Sequence, residues 1–253
     1  DRFLWKSGEE QITSLVERLK LDIKSLNEHL PAIVEIFQRR NAIIHNHGVV
    51  NKAYLQKVSQ EYIKETRVSE GDHLPVDSTY LWQALDTTCL FGAMLVQTCW
   101  RKWEKDGRAR ADSVLQDLSH ELLQTEQHVL LTMLWPCVSA LNMVSDNTRR
   151  VCAINAAAAL KGLAREDEMK TLLDALDWSS VPLRFRVALC MLRDEYELAM
   201  SLLPKAVAAE ELQLESLVSY PLFRGLWERD DFLRLVKQLF PYMGDESALT
   251  SDE

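Results

Sequence analysis

Apolar residues recur at three- and four-residue spacing along nearly the whole chain, and little interrupts them. Eight glycines and seven prolines in 253 residues leave too few turn formers for a sandwich or barrel. Leu, Ala, Glu, Gln, Lys and Arg, which favour helices, fill the intervals. The spacing therefore predicts an all-α chain. A first helix is expected over 9–26 and a second over 30–44, with Pro31 in its first turn and Gly48 as its stop. A third is expected over 52–66, capped by Asn51, and a long fourth from Asp77 or Ser78 to about 105. Beyond it the helical segments are 114–145, 148–164, 166–176, 183–192, 195–203, 208–219 and 230–240.

This length suggests two domains. The charged, glycine-containing stretch RKWEKDGRARADS, residues 101–113, marks the boundary. Residues 1–107 read as a four-helix up-and-down bundle. Residues 113–253 read as an acidic domain of short helices joined by brief turns, the pattern of an α-helical hairpin array of the tetratricopeptide or HEAT kind. Ala156 to Ala159 and Ala199 suit the close crossings of such an array, and the terminal SALTSDE reads as a frayed acidic tail. The net charge of −9, taken whole, argues against a generic nucleic-acid-binding protein. It averages two unlike halves, however. Residues 1–110 hold sixteen Lys and Arg against fifteen Asp and Glu, whereas the remainder hold thirteen against twenty-three.

Five separated cysteines, Cys89, Cys99, Cys137, Cys152 and Cys190, include no C-x-x-C pair and are read as buried thiols in a reducing compartment. No run approaches the roughly 18 uncharged apolar residues that a membrane span needs. The opening DRFLWKSGEEQ has no apolar signal core, so a soluble, cytoplasmic protein is expected. The absence of an initiator Met suggests a piece of a longer protein. No Walker loop, G-x-G-x-x-G or H-E-x-x-H occurs.

The stretch most suggestive of chemistry is FQRRNAIIHNHGVVNKAYL, residues 37–55. It gathers two arginines, three asparagines and two histidines at the end of an otherwise apolar helix. Asn41 and His45, four apart, share a helix face. Arg40 is rotated about 140° from His45 on an ideal helix, so fraying near Ile44 or a second subunit would have to bring both to one phosphate. The bare R-x4-6-H spacing recurs at Arg67 and His73 in a polar loop, so the longer match carries the weight: Asn41 after Arg40, Asn46 and Gly48 after His45, then Asn51, Tyr54 and Leu55. Over about residues 8–106 this pattern resembles the HEPN superfamily, in particular bacterial members with R-N-x3-H-N-x-G.

The resemblance implies a metal-independent endoribonuclease with no cofactor. It is expected to act as a homodimer through the bundle, in the manner of toxins or anti-phage (abortive-infection) effectors. His45 would serve as general base or acid, Arg40 would stabilise charge on the phosphate, and Asn41 would orient His45 or the phosphate. Arg39, Asn46 and His47 would contact RNA, with His47 a second proton-transfer group or a solvated loop residue. The acidic domain would regulate the bundle or recruit a protein partner or inhibitor. Two rival readings are a non-catalytic dimerisation or RNA-binding module and a helical interaction scaffold. Trp82, Trp100 and Trp103 on the fourth helix are read as core residues rather than base-stacking platforms. His29, His73, His120 and His128 have no partners at ligand spacing, and Tyr220 to Phe232 is read as the closing turn of the array.

Overall fold

Every regular element in the described residues, 8–241 of this computed structural model, is a helix. The sole β feature among them is an isolated antiparallel bridge between Val49 and His73. The opening residues and the acidic C-terminal tail lie outside the described range. No helix of the described residues is long and apolar enough to cross a membrane. The chain divides into two compact units. One takes the chain up to Leu115 together with Met133–Arg149, and the other takes Gln116–Thr132 and everything from Arg150 onward.

The first unit is built on α1 (Gly8–Leu19), α2 (Leu30–Asn46), α3 (Lys52–Lys57), α4 (Gln60–Thr66) and α5 (Ser78–Trp103). The segment expected as one helix over 9–26 stops at Leu19. Lys20 takes a left-handed φ of 49°, and Asp22 Oδ1 accepts from the Lys24 N–H at 3.2 Å, leading into a 3-10 turn over Lys24–Leu26. Helix α2 begins with Pro31 in its first turn, as the sequence suggests, and ends through a left-handed His47 (φ 52°) followed by Gly48 (φ 77°). The expected helix over 52–66 is two. Asn51 caps α3 through the Tyr54 N–H, Val58 turns extended, and Ser59 caps α4 through the Tyr62 N–H. Each such cap is worth about 1 kcal/mol, enough to divide a weakly apolar helix.

Helix α5 is capped by Asp77 and buries Thr87, Leu90, Phe91, Met94 and Gln97. Its opposite face differs from expectation. Trp82 and Trp103, read as core residues, are 59% and 58% exposed because they lie on the outward side of the helix. The stretch 101–113 is largely helical, with α6 running Arg108–Gln124. Asp112, 1% exposed, accepts from Arg101 of α5 and from the Val144 N–H at 2.7 Å. The 114–145 segment is interrupted after Gln124 by a turn in which Glu126 takes φ 58°, and α7 (His128–Ser139) follows.

The second unit includes α8 (Asp146–Gly162), whose Ala153, Ala156, Ala157 and Ala159 have no exposure. It continues through α9 (Glu166–Asp174), α10 (Leu183–Leu192), α11 (Tyr196–Ala208), α12 (Leu214–Ser219), a 3-10 turn over Pro221–Leu226, and α13 (Asp230–Leu239). Helices α10 and α11 pack against each other across a turn whose Asp194 takes φ 58°. Their core is Val187, Met191, Leu203, Leu217, Phe223 and Phe232 with their neighbours. Burying each large side chain contributes about 1.5–3 kcal/mol. Tyr220 donates to Asn155 Oδ1, and Asn155 Nδ2 donates to Ser119 Oγ at 2.8 Å, which satisfies the fully buried amide. Cys137, Cys152 and Cys190 are buried, Cys99 is half-buried, and Cys89 is exposed, contrary to the expectation for that thiol.

Candidate functional site

Helix α2 carries two consecutive arginines to opposite fates. One residue along a helix is a rotation of about 100°. Arg39 therefore falls on the face shared with Glu35, and Arg40 turns outward. Glu35 and Arg39 are 3% and 5% exposed. Arg39 Nε donates to Glu35 Oε1 at 2.7 Å. Its other nitrogens donate to the Pro75 carbonyl and the Tyr62 hydroxyl, and its guanidinium lies 3.9 Å from the centre of the Tyr80 ring. Glu35 also accepts from Tyr54 Oη at 2.7 Å and from Tyr80 Oη at 3.0 Å. A buried ion pair is tolerated when extra hydrogen bonds satisfy its lone pairs, and here three donors converge on one carboxylate.

The electrostatics follow from this packing. Burial works against the Arg39 charge, but the hydrogen bond and charge of Glu35 outweigh it, so the Arg39 pKa lies above its ordinary value. Burial first, and then the adjacent Glu35, raises the pKa of Tyr54, Tyr62 and Tyr80 above that of a free tyrosine. The cluster ties α2 to α3, α4, α5 and the loop before α5. Tyr54 is also central to the small core of Ala42, Val50, Val58 and Leu74 beneath the end of α2. Arg39, expected to touch an RNA backbone, is thus placed inside, with its donors turned to protein groups.

The remaining site residues lie on the surface of the same helix end. Arg40 is exposed, and its Nη1 donates to Asn41 Oδ1 at 3.3 Å. Both line an open groove of about 690 Å³ between α1, α2 and α5, floored by Ile33, Ile36 and Phe91 and edged by Thr88 and Gly92. His45 and His47 are exposed. His45 sits in the last turn of α2, where a cation suits the helix dipole. Five residues from Arg40, it lies on another flank, by the rotation of about 140° that an ideal helix imposes. Within one chain, then, Arg40 and Asn41 come together, and Asn41 shares a helix face with His45, but Arg40 and His45 lie on different flanks.

The turn that presents the histidines is held by backbone. The N–H groups of His47 and Gly48 return to the Ala42 carbonyl. Asn46 Nδ2 donates to the Val49 carbonyl, so this half-buried side chain closes its own turn. The next residues are pinned to the loop at 71–74: Val50 N–H donates to the Asp72 carbonyl at 2.8 Å, and Leu74 N–H donates to the Gly48 carbonyl at 2.9 Å. The motif therefore sits on a braced helix end rather than a loose loop.

Sequence reasoning missed the Glu35–Tyr54–Tyr62–Tyr80 cluster. Its one local signal is the charge pair Glu35 and Arg39 four apart on an otherwise apolar helix. Among the described residues no group of three or more His, Cys, Asp or Glu is placed to hold a metal ion. No family model matches the chain, and neither a curated protein nor a solved structure matches it.

Proposed function

We propose that the first unit is a HEPN-type, metal-independent endoribonuclease, with Arg40, Asn41 and His45 as its working residues. The observation that carries this reading is the exposure of Arg40 and His45 at one braced helix end, with Arg40 and the half-buried Asn41 facing an open groove large enough for a nucleotide. In the reaction, the 2′-oxygen of the substrate forms a bond to the adjacent phosphorus while the bond from phosphorus to the 5′-oxygen breaks. His45 takes the 2′-hydroxyl proton or returns one to the leaving 5′-oxygen, as an imidazole is suited to do near neutral pH. The guanidinium of Arg40 stabilises the charge gathering on the phosphate oxygens, and Asn41 orients it. Asn46 and His47 flank the RNA path, and Arg39 acts from inside by fixing the helix.

Because Arg40 and His45 lie on different flanks of one helix, a second copy of the bundle supplies the missing half of the site. The acidic second unit, with the larger share of Asp and Glu, acts as regulator or partner-recruiting arm, consistent with a toxin or phage-defence effector.

The test is to incubate wild type, Arg40→Ala and His45→Ala with RNA in EDTA. Wild type alone should cleave, leaving 2′,3′-cyclic phosphate and 5′-hydroxyl ends. Cleavage that persists in His45→Ala, or that EDTA abolishes, refutes the assignment.

A further inference from the structure

The second unit keeps a cavity open at the edge of its core. The end of α6, then α8, α10, the turn after α11, and α12 with the residues that follow it meet around a space of about 310 Å³. Small-molecule sites begin at about this size, ~300 Å³, and every lining residue belongs to the second unit. The floor is apolar and belongs to the core, with Ile154, Phe185, Ala188 and Phe223 all buried. One wall is aromatic. Tyr220 gives its hydroxyl to Asn155, so its ring is what it offers the cavity. The His120 ring lies beside it, 5.2 Å between centres at a tilt of 33°.

The polar groups at the edge are mainly acceptors. Glu211 is held in place, its Oε2 accepting from the Arg184 N–H at 2.9 Å, which leaves Oε1 over. The Glu215 carboxylate and the Ser216 hydroxyl have no hydrogen-bond partner among the described residues. Of the lining residues only Arg184 carries a fixed positive charge, and its guanidinium sits 5.0 Å over the centre of the Phe185 ring.

These walls select among ligands. An anion meets two carboxylates against one guanidinium already seated on a ring. A wholly apolar molecule strips water from the carboxylates and returns nothing, which is costly. A cation on an apolar stem suits both surfaces, since its charge meets carboxylates and a tyrosine face while its stem covers the floor. The excess of Asp and Glu over Lys and Arg in residues 111–253 draws cations toward it. The donor count favours an ammonium. Glu211, Glu215 and Ser216 offer three acceptors to its three N–H groups, whereas a guanidinium brings five donors in a fixed fork.

We propose that this cavity binds a primary ammonium carried on an aliphatic stem, the group presented by a lysine side chain or by a free aliphatic diamine. Glu211 and Glu215 hold the ammonium, Ser216 accepts its third hydrogen, and the methylenes lie against Tyr220 and Phe223. Because Glu211 is already fixed by Arg184, little ordering is needed on binding.

Isothermal titration calorimetry on the full chain tests the site. The probes are cadaverine, a lysine capped at both ends, and the same capped lysine acetylated on Nζ, which keeps the stem and loses the charge. At least one of the two amines should bind with a Kd below about 1 mM, and the acetylated probe at least about tenfold more weakly. Binding of cadaverine alone assigns the site to a free amine, and binding of the capped lysine alone assigns it to a partner's lysine. In Glu211→Gln/Glu215→Gln the amide oxygen at position 211 still accepts from Arg184. That variant should keep the wild-type helicity and melting temperature and bind at least about tenfold more weakly, the worth of one hydrogen bond to a charged group. Glu215→Gln alone changes an exposed side chain, so it folds whatever the double variant does, and it should weaken binding in the same direction. No binding of either amine at ~10 mM overturns the proposal. So does equal binding of the acetylated probe, or wild-type affinity in a folded Glu215→Gln protein. None of these measurements involves RNA, so a chain that cuts RNA but ignores amines sinks the site alone, and one that binds amines without cutting RNA sinks the enzymatic reading alone.

Discussion

Replacing Glu35 with Gln keeps the shape of the side chain and removes its charge, so it isolates the electrostatic support of Arg39. The pair is nearly sealed, with the Glu35 and Arg39 side chains 4% and 6% exposed. Removing one partner leaves an uncompensated charge that water cannot reach, at a cost of about 3–5 kcal/mol. The lower end applies here, because the amide oxygen of Gln still accepts one hydrogen bond and the Tyr80 ring still covers the guanidinium. With a urea slope of about 2 kcal/mol per molar, a loss of ~3 kcal/mol lowers the midpoint of the transition containing the first unit by ~1.5 M. Urea titration followed by tryptophan fluorescence and far-ultraviolet circular dichroism reads this directly, at an unchanged slope. Adding Arg39→Met removes the stranded charge, so Glu35→Gln/Arg39→Met should recover most of the loss, coupled sites being non-additive. A Glu35→Gln protein within about 1 kcal/mol of wild type would refute the claim that this pair braces α2. So would a double variant as unstable as the single one.

Two further outcomes follow from the same region. His47 holds a left-handed conformation that costs an L-residue about 1–2 kcal/mol, so His47→Gly should melt at or above the wild-type temperature. A lower melting temperature would show that the imidazole itself holds the turn, and lost cleavage at full stability would assign the imidazole to chemistry. Burial and Glu35 raise the Tyr54 and Tyr80 pKa above the ordinary 10.0. The unfolded chain therefore ionises these tyrosines first as pH rises past 10, binds fewer protons than the native state, and gains in relative stability. Urea midpoints measured from pH 9 to 11 should fall above pH 10, less steeply in Tyr54→Phe/Tyr80→Phe. A profile identical in both proteins would count against the buried cluster.

The helices are legible where composition and punctuation agree. Pro31 in the first turn of α2, Asp77 before α5, and the apolar run of α10 place these elements where the structure has them. The breaks are harder to read. Ser59 divides 52–66 by a single side-chain cap, and Glu126 turns the chain in a left-handed conformation that usually signals glycine. Neither residue type announces a break, because each is also ordinary on a helix surface. The long fourth helix is read correctly, but not its open face. An apolar stripe looks the same in sequence whether it faces a core or a partner, which is why Trp82 and Trp103 read as core.

The candidate site shows the same limit at single-residue scale. Arg39 and Arg40 have equal charge, equal reach and adjacent positions, and a motif search treats either as the start of the pattern. What separates them is the residue one turn earlier. Four before Arg39 stands Glu35, a carboxylate that makes burial of a guanidinium tolerable. Four before Arg40 stands Ile36, an apolar residue that lines the groove and offers no counter-charge. Arg40 must therefore stay in water or find an anion from outside the chain. That inequality is present in the sequence. What is absent from it are Tyr54, Tyr62 and Tyr80, which reach the pair from as many as 45 residues away. Local spacing can thus tell the inward arginine from the outward one. It takes the folded arrangement to show that the inward one is held so firmly that the outward one, with Asn41, is presented in a fixed place.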